Sequence, residues 1–307
     1  MLIPRVIRSD GFMEPTLVLG AGASADYGMP TGKELVSEVI QCCSDQHLLF
    51  PKLLECGCSR SELVELGRRL RDSEPDSIDF FLAANPDLRN VGKRAIAAVL
   101  LKSENADSVR GSWYKMLFCQ MLRDISLSSA RVVHIVTFNY DRSLELYFYR
   151  AALAHFAHRD RAQPFLAHII PWVRHLHGRL VELPEENAHG VAYGEACQAE
   201  LIARSAERIH FAYEQTEDAY AFSVARGLLA DADEIVFLGF AFHDDILRNL
   251  NAEQWKDCRM IVSGYGFRPR LRDRIKEMFP SAEIGQSEKY LSDETYLSKF
   301  LENRKLC

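Results

Sequence analysis

The fold is decided by the stretch Thr16-Leu17-Val18-Leu19-Gly20-Ala21-Gly22-Ala23-Ser24-Ala25. Its first four residues form a short apolar run, which is typical of a buried strand. Gly20 allows a tight turn, and Gly22 allows the backbone to come close to a pyrophosphate group. Helical spacing of apolar residues follows from Ala25 to Cys43. A strand, a Gly-x-Gly-x-x-Ala loop and a helix in this order predict a dinucleotide-binding α/β domain.

Three more apolar runs have the length and composition of buried parallel strands: Val132–Thr137, Ile235–Leu238 and Met260–Val262. A stretch with helical spacing follows each run: Asp141–His155, Asp245–Asn251 and Pro269–Met278. This alternation predicts a Rossmann-like, doubly wound parallel sheet in an α/β fold.

The chain of 307 residues is interpreted as a single domain. Its core segments are expected near residues 14–40, 130–180 and 231–290. Residues 41–129 contain no good strand and are predicted to form an inserted helical subdomain, with three candidate helices: Ser61–Arg71, Asp76–Ala84 and Val109–Ile125. A second helical excursion is expected from Cys197 to Asp231.

Composition and charge exclude several classes of protein. Hydrophobic residues make up 48% and charged residues 26% of the chain, as in ordinary globular proteins. We expect a cytoplasmic protein, because no apolar stretch has the length of a membrane helix and residues 1–14 lack the apolar core of a secretory signal. A formal charge of −6 argues against direct nucleic-acid binding.

The eight cysteines do not form a metal-binding pattern. Structural zinc sites usually contain Cys-x(2–4)-Cys pairs, and Cys56-Gly-Cys58 is one residue short of that spacing. Cys42 and Cys43 are adjacent, which is awkward for tetrahedral coordination. We expect reduced thiols and no bound metal.

Four motifs give the chain its resemblance to sirtuins. Gly20 to Ser24 with Tyr27-Gly28-Met29-Pro30 resembles the sirtuin opening loop. Thr137-Phe138-Asn139-Tyr140-Asp141 resembles the Thr-Gln-Asn-(Ile/Tyr)-Asp segment, and Leu176-His177-Gly178 resembles the (Leu/Val)-His-Gly segment. The run from Gly239 to Asp245 resembles a loop of sirtuin-like bacterial proteins. The motifs occur in the family's order.

Two departures distinguish this chain from the sirtuin deacylases. Thr31-Gly32-Lys33 stands where deacylases carry Asp-Phe-Arg, and the four-cysteine zinc module after the His-Gly segment has no counterpart. The chain therefore resembles the sirtuin-like NAD hydrolases of bacterial anti-phage defence. This resemblance implies cleavage of NAD to nicotinamide and ADP-ribose, with abortive infection as the outcome. It also implies control by a homo-oligomer or by a partner, such as an Argonaute-like protein, a HerA-like ATPase or another sensor.

The resemblance assigns catalysis to Asn139 and His177. An amide can hold a ribose hydroxyl or the attacking water, and an imidazole can accept a proton near neutral pH. His175 competes with His177 for the role of base, and a helix cap is the favoured role of Asp141 and an equal alternative for Asp245. The predicted cofactor-binding residues are Gly20, Ala21, Gly22, Ala23, Ser24, Pro30, Thr137, Asp141, Gly239, Phe240, Phe242 and Asp245.

Two other functions stay open at this point. Gly190-Val-Ala-Tyr193-Gly194-Glu195 faintly resembles the acyl-lysine loop of the deacylases, which would suit a zinc-free protein deacylase or an ADP-ribosyltransferase. The other is a non-enzymatic module that senses NAD or ADP-ribose.

Overall fold

The computed structural model describes residues 15–126, 133–211, 217–255, 258–264 and 266–285. Val132, the first residue of a predicted strand, lies outside these ranges. The strands are β1 (Pro15–Leu19), β2 (His134–Thr137), β3 (Val173–His175), β4 (Glu234–Leu238), β5 (Arg259–Val262) and β6 (Glu283–Ile284). The α-helices are α1 (Gly32–Cys42), α2 (Phe50–Glu55), α3 (Arg60–Ser73), α4 (Ile78–Ala84), α5 (Arg89–Ser103), α6 (Ser112–Ser126), α7 (Ser143–Phe156), α8 (Arg159–Ile169), α9 (Ala199–Ala206), α10 (Glu217–Asp231), α11 (Asp244–Asn249) and α12 (Pro269–Met278).

The six strands form one parallel sheet in the order β3-β2-β1-β4-β5-β6. This is the strand order of a Rossmann fold, so the predicted fold class is confirmed. The four predicted strands occupy the middle of the sheet. The two that were not predicted, β3 and β6, are its edges, and their three and two residues are too short to give a periodic signal.

The register aligns the carboxyl ends of the central strands. Leu19 of β1 pairs with Thr137 on one side and with Leu238 on the other. Beyond the strands, the Gly20 N–H donates to the Leu238 carbonyl at 3.0 Å, and the Phe138 N–H donates to the Leu19 carbonyl at 2.9 Å. The loops after β1, β2 and β4 therefore meet at one edge of the sheet.

Five helices, α2 to α6, lie between α1 and β2, where a helical insertion was predicted. Among them, α5 escaped prediction because it is buried on nearly every side, including all residues from Ala95 to Leu101, and so lacks a polar face. Within the described ranges, no helix is both long enough and apolar enough to cross a membrane.

The predicted helix Ala25–Cys43 is wrong at its start. Residues Ala21–Tyr27 form a 3₁₀ helix that ends at Gly28, which has a φ of 87°. Pro30 disfavours helical geometry at the residue before it, so the chain stays irregular there. The α-helix begins only after Thr31, whose N–H and hydroxyl both donate to the Glu34 carboxylate, at 2.8 Å and 2.7 Å.

Candidate active site

A cleft of about 570 Å³ opens at the carboxyl edge of the sheet, where the loops after β1 and β4 diverge. Ligands of doubly wound sheets bind at this switch point. Ten of the predicted residues line the cleft: Gly20, Ala21, Gly22, Pro30, Asn139, Asp141, His177, Gly239, Phe240 and Phe242. Four others are not on its lining: Ala23, Ser24, Thr137 and Asp245.

The glycines of the first loop are required by loop packing. A Cβ on Gly20 would stand 2.5 Å from the Gly239 carbonyl oxygen, and one on Gly22 would stand 2.9 Å from Gly239 Cα. Gly22 is thus required for packing against the β4 loop, and its predicted close approach to a pyrophosphate stays a prediction. The N–H groups of Gly20, Gly22 and Ala23 are donated to backbone carbonyls, so a phosphate must use other donors of this loop.

Asn139 lines the cleft and is held in place by two hydrogen bonds. Its Nδ2 donates to Ser24 Oγ at 2.9 Å, and its backbone N–H donates to Thr137 Oγ1 at 3.1 Å. The side-chain Oδ1 is buried, and no residue that the structure describes hydrogen-bonds to it. Ser24 and Thr137 therefore act through Asn139 and lie outside the cleft lining.

His177 lies in an aromatic enclosure on the same lining and is 3% exposed. The rings of Phe138, Tyr140 and Phe222 are centred 5.3, 6.0 and 6.0 Å from the imidazole. Neither ring nitrogen has a hydrogen-bond partner among the described residues. Burial lowers the pKa of His177, and a nearby carboxylate, Asp79, opposes that shift. The imidazole is therefore neutral near pH 7, as a base must be.

His175 is placed differently, although it belongs to the same segment. Its Nδ1 lies 2.8 Å from the carbonyl oxygen of Asn139, and its Nε2 lies 2.7 Å from Glu145 Oε1. Burial of Glu145 would raise the pKa of its carboxyl, but His175 and Arg179 outweigh this and lower it to about 2. His175 thus supports the backbone of Asn139 and does not line the cleft.

Asp141 and Asp245, for which a helix cap was considered beside a cofactor contact, have different positions in the structure. Asp141 Oδ1 accepts from the Ser143 N–H at 3.0 Å at the start of α7, and the residue also lines the cleft. Asp245 lies in the first turn of α11, forms an ion pair with Arg248 and is away from the lining. Phe242, in the loop that precedes Asp245, is buried at a φ of 55°, a conformation that large side chains rarely adopt.

Several lining residues were not predicted. Asp76 and Asp79 come from the start of α4, and Tyr140 follows Asn139. Arg268 and Arg274 come from the region of α12 at the other end of the cleft. The charged residues among them cannot be recognised as lining residues from the sequence, because surface helices often carry such charges. Only their positions in the fold identify them. Among the described residues, no group of three or more His, Cys, Asp or Glu side chains is arranged to hold a metal ion.

Comparison with known proteins agrees with this geometry. The family model of the SIR2-like domain matches residues 133–267, from β2 through β5 and including both Asn139 and His177. No curated protein matches the chain. SIR2-like domains bind NAD, and the match supports NAD-related enzyme chemistry in general. Residues 133–267 are therefore similar to a SIR2-like domain, and they belong to a Rossmann-like sheet whose cleft is lined by Asn139 and His177.

Proposed function

We propose that the chain is an NAD glycohydrolase, which cleaves NAD into nicotinamide and ADP-ribose. One observation carries the proposal. Asn139 Oδ1 and both ring nitrogens of His177 are buried on the cleft lining and lack partners among the described residues. Buried polar atoms are normally hydrogen-bonded, so those left open in a cleft suit a polar ligand.

Hydrolysis of NAD requires few other groups from the protein. Nicotinamide leaves as a neutral ring, so catalysis depends on stabilising a cationic ribose and on aiming a water molecule at its anomeric carbon. Asn139 Oδ1 is placed to accept a hydrogen bond from that water or from a ribose hydroxyl. A neutral His177 is placed to take the proton that is released. Ala21 and the loop from Gly239 to Phe242 line the part of the cleft assigned to the rest of the dinucleotide.

The contacts of the segment from Gly190 to Glu195, which suggested a deacylase, argue against that alternative. Tyr193 is buried, and the Gly194 N–H donates to Glu104 Oε2 at 2.9 Å. Glu104 also forms a fully buried ion pair with Arg142, whose guanidinium donates to the carbonyls of Val181 and Val191. This network holds the segment against α5 and α7, away from the cleft lining.

The biological setting is part of the same proposal. The missing zinc module and the missing Asp-Phe-Arg sequence favour an effector of bacterial anti-phage defence over a deacylase. Uncontrolled loss of NAD would harm the cell that makes the protein. We therefore place its activity under the control of a homo-oligomer or a partner protein that senses infection.

Release of nicotinamide from NAD by the purified chain tests the proposal, with and without proteins encoded by neighbouring genes. Asn139→Ala and His177→Ala should each lower turnover by at least ~100-fold, the usual scale for a positioned acid–base group. Affinity for ADP-ribose should change far less, because neither side chain is needed to hold the adenosine half.

Two histidine controls sharpen the result. His168→Ala, on an exposed position of α8, should leave turnover unchanged. His175→Ala should keep most of the turnover while it lowers stability, since His175 braces Asn139 from outside the cleft. Full activity in His177→Ala would contradict the assignment of the base. Binding of NAD without turnover under every condition would favour the sensor, and transfer of ADP-ribose or deacylation of a peptide would favour the other alternative.

A further inference from the structure

A carboxylate from the helical insertion lines the same cleft as the group assigned as the base. Asp79 belongs to the first turn of α4 and lines the cleft together with His177. The Tyr140 hydroxyl donates a hydrogen bond to Asp79 Oδ1. Since Tyr140 directly follows Asn139, this contact ties the insertion to the loop that carries the predicted catalytic amide.

The position of α4 is fixed by a second contact. The ring of Phe80, next to Asp79, meets the ring of His243 edge-on with centroids 5.6 Å apart. His243 lies in the loop after β4 and, like Tyr140, lines the cleft. The start of α4 is thus seated between the β2 loop and the β4 loop, and Asp79 is the acidic residue that it brings to His177.

We propose that Asp79 is a positioning residue of the nicotinamide-ribose end of the cleft: held by Tyr140, its carboxylate supplies the negative charge that faces His177. The inference rests on the proposed function, because it assigns Asp79 a part in that reaction. It gives the insertion a role in chemistry as well as in covering the cleft.

The surroundings of His177 explain why one carboxylate matters. Phe138, Tyr140 and Phe222 enclose the ring, and among the described residues the ionisable groups that act on it include Asp79 and His210, besides the Tyr140 phenol. A proton accepted by His177 creates a cation in an aromatic, poorly solvated enclosure, which is unfavourable unless a negative charge lies nearby. Asp79 stabilises that cation, so His177 accepts a proton more readily.

The test compares Asp79→Asn with the wild type by following the imidazole signals of His177 during a pH titration by NMR, without substrate. His177→Ala identifies the signals. The negative charge of Asp79 raises the pKa of His177, so the amide should move the titration to lower pH. Asp87→Asn is the matched control, since Asp87 belongs to the same insertion but pairs with Arg69 on the surface. An identical pH response of His177 in wild type and Asp79→Asn overturns the inference.

Kinetics add a second readout. Asp79→Asn should lower kcat about tenfold and leave KM little changed. The acid limb of its pH–rate profile should move to lower pH, as the His177 titration does. Asp87→Asn should alter neither quantity. If the wild type releases no nicotinamide under any condition, the proposed glycohydrolase function is wrong. The NMR titration still decides whether Asp79 acts on His177, because it needs no turnover. An unchanged acid limb in an active Asp79→Asn variant would overturn the inference while leaving the glycohydrolase intact.

Discussion

The side-chain amide of Asn139 donates a hydrogen bond of 2.9 Å to Ser24 Oγ, joining the loop after β2 to the 3₁₀ helix after β1. Both residues are buried, and they follow neighbouring strands of the sheet. The contact uses the NH₂ end of the amide and leaves Oδ1 without a partner among the described residues. Ser24, which was predicted to bind the cofactor, therefore orients the amide that we propose as catalytic.

Ser24→Ala should lower kcat for nicotinamide release and leave the affinity for ADP-ribose nearly unchanged. The substitution leaves a buried NH₂ group without its acceptor, and the free energy of unfolding should fall by about 1–3 kcal/mol. Urea denaturation and steady-state kinetics measure the two effects. Ser37→Ala, at an exposed position of α1, is the control and should behave like the wild type. A normal kcat in Ser24→Ala would show that Asn139 is oriented without this bond.

Ala21→Glu should abolish binding of NAD and ADP-ribose while the protein stays folded. Ala21 lines the cleft beside the glycines, and a carboxylate there would repel the phosphates that we expect at this loop. Ala21→Gln has nearly the same size without the charge and should bind better than Ala21→Glu. Isothermal calorimetry with ADP-ribose makes the comparison, and equal affinities for the two variants would refute a phosphate contact here.

Gly22→Val cannot serve the same purpose. Its Cβ would lie 2.9 Å from Gly239 Cα, so the substitution should displace the β4 loop and lower the thermal midpoint as well as the affinity. Loss of binding in that variant alone would not identify a phosphate site.

The rate of nicotinamide release should be constant above about pH 7 and should decline only at lower pH, because burial places the pKa of His177 below the ordinary value of 6.5. The same shift affects stability. Below pH 6.5 the unfolded chain binds a proton that the folded chain resists, so the His177 contribution to stability is present above that pH and is lost as the pH falls. A pH–rate profile with thermal melts at each pH checks both trends, and a rate that rises as the pH falls below 6.5 would exclude His177 as a base.

Much of this architecture could be predicted because local sequence and global fold agree in the centre of the sheet. β1 and β4 are short apolar runs that are buried on both faces, and each one leads into a glycine. The positions of Asn139 and His177 on one cleft followed from family motifs at strand ends. The hydrogen bonds that hold them could not be read in this way, since Ser24 and Asn139 are distant in the chain.

The mistakes have physical causes. The first helix was extended across Pro30 because its apolar spacing continues there, although proline interrupts the helix. Asp79 was treated only as part of a helix start, because nothing in the sequence indicates that Tyr140 would bind it. The second point depends on a tertiary contact, which no local window of sequence contains.

The central position of β1 has a consequence for synthesis of the protein. β1 is made first, but its two neighbours are β2 and β4, and the second of these ends at Leu238. A ribosome must therefore release most of the chain before the strand beside Gly20 finds its second partner, and such distant pairings are slow to form. Until then the loop of Gly239 is missing from one wall, and the nascent chain has no complete pocket. The order of strands thus delays formation of the cleft until β4 has been synthesised.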